Sequence, residues 1–98
     1  MYVVMNVLTV PEDGKSKMVE LFSKSAENMK KVPGCVEFQF LSSSEEEKQV
    51  VYTKWESKED FKAWTESEAF RQAHAERRTR GTTATGSKIE IYEVVHSS

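Results

Sequence analysis

This 98-residue chain has few cysteines, no long apolar runs and little net charge, and each of these features excludes a class of function. Its single cysteine, Cys35, excludes an intrachain disulfide and a cysteine-rich structural zinc site. Its apolar runs are only a few residues long, so we expect neither a membrane-spanning helix nor a secretory signal peptide. Its net charge of −2 gives no general attraction to nucleic acid or to an anionic membrane. We therefore expect a soluble, cytoplasmic protein that binds neither.

Familiar catalytic motifs are also missing. The chain has no Gly-rich phosphate loop, no nucleophile signature that includes a histidine, and no cluster of His, Asp and Glu at metal-ligand spacing. The acidic run at 45–47 is best explained as a solvated loop tip. Cys35 follows a Pro-Gly pair at the start of an apolar run, which favours a small core residue over a thiolate ligand.

Hydrophobic periodicity predicts six secondary-structure elements. Strand patterns cover residues 2–10, 35–41, 49–55 and 88–95. Helical spacing covers residues 15–31 and a second segment that opens at 57–60 with a sequence like a capping box, in which Asp60 replaces the usual glutamate. A second cap-like serine, Ser67, predicts a bend near residues 66–67.

The resulting order, β-α-β-β-α-β, is that of the ferredoxin-like fold. The sequence thus predicts an α+β protein, with a four-stranded antiparallel sheet and both helices on one face. No repeat or linker interrupts the pattern, so we expect a single domain over residues 1–98.

The first strand is apolar on both of its faces. Alternation places Tyr2, Val4, Asn6 and Leu8 on one side, and Val3, Met5 and Val7 on the other. The helices of one subunit can cover only one side. A matching sheet from a second copy is the simplest cover for the other, so we expect a homodimer whose sheets face each other as an α+β barrel.

Three residues are candidates for chemistry. Asn6 interrupts an apolar strand, where a buried amide must find hydrogen-bond partners. His74 is one of two histidines, and a single imidazole suits the axial position of heme iron. Trp64 would lie about 80° from His74 in projection on one straight helix, and the predicted bend would bring both toward one pocket. Each residue also has a purely structural explanation. The Asn6 amide could be hydrogen-bonded to neighbouring backbone, His74 could be an exposed helical residue, and Trp64 could belong to the core.

All four arginines fall within one ten-residue stretch, as Arg71, Arg77, Arg78 and Arg80. Arginine pairs well with carboxylate or phosphate, so this stretch is a candidate cradle for an anionic small molecule. A solvated helix end explains the same cluster.

Taken over nearly its whole length, the sequence resembles the IsdG-type heme-degrading monooxygenases of the antibiotic-biosynthesis-monooxygenase superfamily. The resemblance rests on Asn6 in the first strand, on Pro33-Gly34 followed by VEFQFL, on the segment WESKEDFKAW that ends at Trp64, and on SEAFRQAH that ends at His74. The tryptophan-led segment is common to the superfamily, whereas the combination of Asn, Trp and His is the specific part.

The resemblance implies a role for each of these residues. His74 would be the axial ligand of heme iron, Asn6 would stand on the distal side of the heme, and Trp64 would press on the macrocycle and ruffle it. Phe22 and Phe70 are plausible apolar walls, and Arg77 or Arg78 could pair with the propionates. Heme would be both substrate and cofactor, and O2 and an external donor, either a reductase or a small-molecule reductant, would complete the reaction that opens the ring and releases iron.

Two other functions remain open from the sequence. A heme carrier or buffer would need His74 and an apolar slot, but not Asn6 or Trp64. A heme-free oxygenase acting on a small aromatic substrate would use His74 and Asn6 as acid-base and oxyanion groups.

Overall fold

The computed structural model describes residues 1–68, 70–71 and 85–98. In chain order these form β1 (Tyr2–Thr9), a short 3-10 turn (Glu12–Gly14), α1 (Lys15–Met29), β2 (Cys35–Ser42), β3 (Lys48–Trp55), α2 (Lys58–Thr65) and β4 (Gly86–Glu93). The predicted strands and the first helix are confirmed with ends that differ by at most two residues, and the second helix begins directly after its predicted cap, Ser57. The predicted continuation of the second helical segment from 72 to His74 lies outside the described residues. No helix within the described residues is long and apolar enough to cross a membrane.

The four strands form one antiparallel sheet in the order β2-β3-β1-β4. β1 lies at the centre, with Asn6 directly opposite Val51 of β3 and Ile89 of β4. This order and the helices on one face confirm the predicted ferredoxin-like α+β fold.

Two serine caps divide the second helical region, as the sequence predicts. The Ser57 hydroxyl accepts a hydrogen bond from the Asp60 amide at 3.2 Å and donates one to the Asp60 carboxylate at 2.9 Å, which starts α2. α2 ends at Thr65, and the Ser67 hydroxyl then accepts from the amide of Phe70 at 3.2 Å as a new helical turn begins. The predicted bend at 66–67 is thereby confirmed.

The turn before β2 depends on a glycine. Gly34 has a φ of +82°, and a Cβ at this position would collide with the side chain of Asp60. Both the backbone conformation and the close approach of α2 therefore require glycine here.

The core lies between the sheet and the helices in two clusters. One contains Leu8, Val10, Met18 and Phe22, and the other contains Val4, Met29 and Trp55. The even-numbered residues of β1 thus face the helices, as predicted. Trp55 is fully buried, and its indole N–H donates to the Thr53 hydroxyl at 3.0 Å.

A buried lysine fixes the loop between β2 and β3 to the start of α1. The Lys15 ammonium donates to the carbonyl oxygens of Ser43 at 2.7 Å and Glu46 at 2.6 Å, and it lies 3.0 Å from the carboxylate of Glu12. The amide nitrogen of Gln49, fully buried beneath, donates to the Lys15 carbonyl at 3.3 Å. This network joins the hairpin to α1 at one end of the sheet.

Candidate functional site

A cavity of about 160 Å³ lies between the two helices and the centre of the sheet. Its floor comes from β1 and β3, one wall from α1, and the opposite wall from α2 and the turn that follows it. Most of the lining is apolar or aromatic. Residues that line it include Val4, Asn6, Phe22, Phe38, Met29, Val51, Phe61, Trp64 and Phe70.

Asn6 supplies the polar group on the cavity floor. Its Oδ1 atom is buried, and no hydrogen bond connects the Asn6 side chain to another residue in the part of the chain that the structure describes. The ordinary explanation for this residue, an amide satisfied by neighbouring backbone, therefore does not hold for that oxygen. Because a primary amide carries both an acceptor and two donors, Asn6 retains hydrogen-bonding capacity directed at whatever occupies the cavity.

Trp64 is the centre of the aromatic wall. Its indole meets the ring of Phe70 edge-to-face at a centroid distance of 4.7 Å. The indole of Trp55, which lies outside the cavity lining, is 5.5 Å away, and the ring of Phe61, which also lines the cavity, is 6.4 Å away. These contacts hold the Trp64 ring in place against the cavity, in line with the geometry that aromatic pairs prefer.

Phe22 forms part of the facing wall on α1. Its ring stacks on that of Phe40 of β2 at 4.6 Å and 16°. The structure thus brings Asn6, Phe22, Trp64 and Phe70, all of them predicted site residues, to one cavity.

The other predicted site residues, His74, Arg77 and Arg78, lie outside the described residues. Phe70, which precedes that segment in the sequence, is part of the aromatic wall.

Comparison with known proteins gives a match to the antibiotic biosynthesis monooxygenase family over residues 1–76. The chain belongs to this family. The expected membership in that superfamily is confirmed by this match, which includes Asn6, both tryptophans and His74.

Relatives in this family carry a more specific description. A heme-degrading monooxygenase of Shouchella clausii is 35% identical over 96 residues, which cover 96% of this chain and 90% of the relative. A staphylobilin-producing heme oxygenase of Staphylococcus haemolyticus is 32% identical over 100 residues, covering 100% and 94% of the two chains. These matches confirm the resemblance to the heme-degrading monooxygenases.

Among solved structures, the heme degrader MhuD of Mycobacterium tuberculosis, with two hemes bound in its active site, is similar to this chain. It superposes with a TM-score of 0.83 and is 33% identical, covering 100% of this chain and 99% of its own. This agreement covers the whole ferredoxin-like architecture.

Four polar residues that line the cavity were not predicted as site residues from the sequence. Ser25 and Asn28 line it from α1, Thr53 from β3 and Thr65 from α2. Ser25 could have been found from the sequence, because it lies on the same face of α1 as Met18, Phe22 and Met29. A large apolar residue would be expected at that position of an amphipathic helix. A small polar residue at that point leaves space rather than filling the core.

The described residues that line the cavity are uncharged. The nearby thiol of Cys35 packs with the Trp55 cluster outside this lining, and burial raises its pKa above the ordinary value. The site therefore offers an apolar, aromatic slot with isolated neutral hydrogen-bonding groups, which suits a flat ligand with a largely apolar body.

Proposed function

We propose that this protein is a heme-degrading monooxygenase. It binds heme in the cavity between α1 and α2 and opens the porphyrin with O2 and electrons from an external donor, which releases iron. The observation that carries the proposal is the Asn6 side chain, which faces an aromatic cavity and whose buried oxygen has no partner in the described part of the chain. The heme-degrading relatives that match almost the full chain support the same function.

The cavity residues fit heme. The macrocycle is flat and apolar, and Phe22, Trp64 and Phe70 offer it ring surfaces. No charged side chain among the described lining residues would oppose its burial. Asn6 adds a hydrogen-bonding group on the floor, and its oxygen is left unused by the described residues.

Each residue then has a distinct task. The iron-bearing ring supplies the oxygen chemistry when bound, while the protein binds and orients it. Asn6 would offer its amide as a hydrogen-bond donor to the bound heme, and Trp64, which Trp55 and Phe70 support, would press on the ring and distort it. We assign His74 as the axial ligand of the iron, on the resemblance to the heme-degrading monooxygenases.

Arg77 or Arg78 would pair with the propionates, since arginine forms bidentate pairs with carboxylates. A reductase or a small-molecule reductant would supply the electrons. We further propose the cytoplasm as the location, where a lone cysteine such as Cys35 stays reduced.

The first experiment follows the visible spectrum of the hemin-loaded protein in air, with ascorbate as donor and catalase present to remove free peroxide. We expect the Soret band to disappear while a bilin-like absorption grows. A shifted Soret band that persists with each of several donors would indicate a heme carrier. An unshifted spectrum on adding hemin would contradict heme binding and favour the heme-free oxygenase.

Two substitutions test the residue assignments. His74→Ala should remove axial ligation and turnover, whereas His96→Ala, which alters the other histidine in the exposed tail, should do neither. Asn6→Ala should still bind hemin but degrade it slowly. Full turnover by His74→Ala would refute its assignment as ligand, and normal turnover by Asn6→Ala would remove that residue from the mechanism.

We also propose a homodimer formed by the open face of the sheet. Across three strands this face carries an apolar row of Val7, Val50 and Leu41, which are paired in register, and Leu41 remains 43% exposed. Charged pairs such as Lys88 and Glu90, 3.7 Å apart, lie at its edge, which is the arrangement of an apolar interface centre with a polar rim.

The solution mass tests this dimer. Light scattering at micromolar protein should give twice the chain mass, and Val50→Lys should reduce it to one chain. Val19→Lys is the matched control, because Val19 is 49% exposed on α1, on the other side of the sheet. A monomeric wild-type mass would refute the proposal.

A further inference from the structure

Behind the cavity lies a line of side chains that are readily oxidised. Trp64 lines the cavity, and its ring centroid is 5.5 Å from that of Trp55. Trp55 is fully buried, so it has no contact with solvent of its own. An indole in the cavity wall is therefore in direct contact with a second indole in the core.

The line continues to the edge of the protein through Tyr2. Tyr2 of β1 lies directly opposite Trp55 of β3 in the antiparallel pairing, on the face that packs against the helices. Side chains in such positions have Cβ atoms about 4.5–5.5 Å apart. Tyr2 is only half-buried, so its side chain is accessible to water. Trp64 and Trp55 are therefore in ring contact, and Tyr2 is the neighbour of Trp55 across the strand pair, at the end of the series that meets solvent.

One hydrogen bond favours charge on the middle member. The indole N–H of Trp55 donates to the Thr53 hydroxyl oxygen at 3.0 Å, and the same hydroxyl donates to the Val4 carbonyl at 3.3 Å. A hydroxyl oxygen fixed beside the N–H stabilises an indole that has lost an electron, because the N–H becomes a stronger donor in that state.

We propose that Trp64, Trp55 and Tyr2 conduct single oxidising equivalents out of the cavity, an inference that rests on the proposed heme chemistry. An oxidant formed from heme and peroxide takes one electron from Trp64. The oxidised Trp64 then takes one electron from Trp55, and the oxidised Trp55 takes one electron from Tyr2. Tyr2 loses its phenolic proton to water, and a thiol or ascorbate in solution returns one hydrogen atom to the phenoxyl radical. The cavity oxidant is reduced by one electron and the external reductant is oxidised by one, so the site is restored without damage to its own walls.

The test locates the radical on the chain. Hemin-loaded protein is treated with hydrogen peroxide and a nitroso spin trap, without reductant, and the adducts are mapped on peptides. We expect the adduct on Tyr2 in the wild type, and none there when hemin is omitted. In Trp55→Phe the Tyr2 adduct should fall several-fold while oxidation of Trp64 rises, because a phenyl ring keeps the packing but does not pass the electron.

A matched variant separates electron transfer from packing. Cys35 packs against the same Trp55 cluster, but it lies outside the cavity lining. Cys35→Ala changes the packing around Trp55 without altering the cavity, so it should leave the Tyr2 adduct in place. If Trp55→Phe does not fold, Tyr2→Phe replaces it as the test. Oxidation products should then accumulate on Trp55 and Trp64.

The outcomes distinguish this inference from the proposed function. Hemin binding is followed by absorbance in the same samples, and a failure to bind would overturn both. Binding with a Tyr2 adduct that is absent, that persists in Trp55→Phe, or that falls equally in Cys35→Ala would overturn the electron path alone.

Discussion

Replacing Asn6 by leucine should stabilise the hemin-free protein while abolishing efficient heme degradation. The Asn6 oxygen is buried, and the described residues offer its side chain no hydrogen bond. Leucine has a similar size and shape but no polar atom. The substitution therefore removes favourable hydration of the amide from the unfolded state, and it removes no hydrogen bond to a described residue from the folded state.

The magnitude follows from the cost of an unsatisfied polar group. A buried donor or acceptor without a partner costs roughly 1–3 kcal/mol. An apolar residue also suits a central strand better than asparagine does, within a total range of about 1 kcal/mol. We expect the free energy of unfolding to rise by about 1–2 kcal/mol, and each kcal/mol corresponds to ~4–8 °C in Tm for a chain of this size.

A second buried amide provides the control. Gln49 also has a side-chain oxygen without a partner in the described chain, but its nitrogen donates to the Lys15 carbonyl at 3.3 Å and to the Ser42 hydroxyl at 3.1 Å. Gln49→Leu relieves one unsatisfied oxygen yet breaks two hydrogen bonds worth ~0.5–1.5 kcal/mol each, so its net change should be close to zero or unfavourable.

Urea unfolding of both variants and the wild type, without hemin and at one fixed protein concentration, measures these changes. Asn6→Leu should be more stable than Gln49→Leu by about 1–3 kcal/mol, the value of the two bonds. A loss of 1 kcal/mol or more in Asn6→Leu would refute the reasoning, because it would mean that the amide is satisfied in the hemin-free protein.

Three further changes follow from the structure. Lys15→Met should lower the free energy of unfolding by about 2 kcal/mol, since it removes two charge-assisted hydrogen bonds from a buried ammonium. Lys17 is exposed on the same helix, so Lys17→Met should change the free energy of unfolding little. Equal effects of the two substitutions in urea unfolding would contradict the prediction. Alkylation of Cys35 by iodoacetamide should be slow at neutral pH and reach its midpoint above that of free cysteine, because burial raises the thiol pKa; a midpoint at or below the free value would disprove it. Ser25→Leu should fill the cavity and weaken hemin binding in an absorbance titration, while Ser23→Leu on the exposed side of α1 should not, and unchanged binding by Ser25→Leu would place heme elsewhere.

The fold was accessible from the sequence because its signals are local. Serine caps, a Pro-Gly turn and apolar periodicity each act within a few residues, and the structure confirms the four strands, the first helix and the start of the second helix. The strand ends were less accessible. β4 begins at Gly86 rather than Lys88 because Gly86 pairs with Thr9, the last residue of β1. The length of a strand depends on its partner, which lies 77 positions away in this case (86 − 9).

The site was accessible only in part, for a related reason. Asn6 was identifiable because asparagine is disfavoured in the middle of an apolar strand. Asn28 and Thr65 were not, since polar residues on helices give no signal until two helices face each other across a gap. The cavity is a property of packing, and a one-dimensional pattern predicts which faces are buried but not where the burial is incomplete.

The departures from local rules meet at one place in the structure. An asparagine interrupts the central strand, a serine interrupts the apolar stripe of α1, and the second helix breaks at 66–67, directly after two residues of the cavity wall, Trp64 and Thr65. Each costs stability, and independent costs of this kind would be expected to scatter through a fold that is selected for stability alone. Their convergence on a single aromatic cavity indicates that the cavity is what they serve, and for that reason the polar atom left unsatisfied there is the strongest single argument for a ligand.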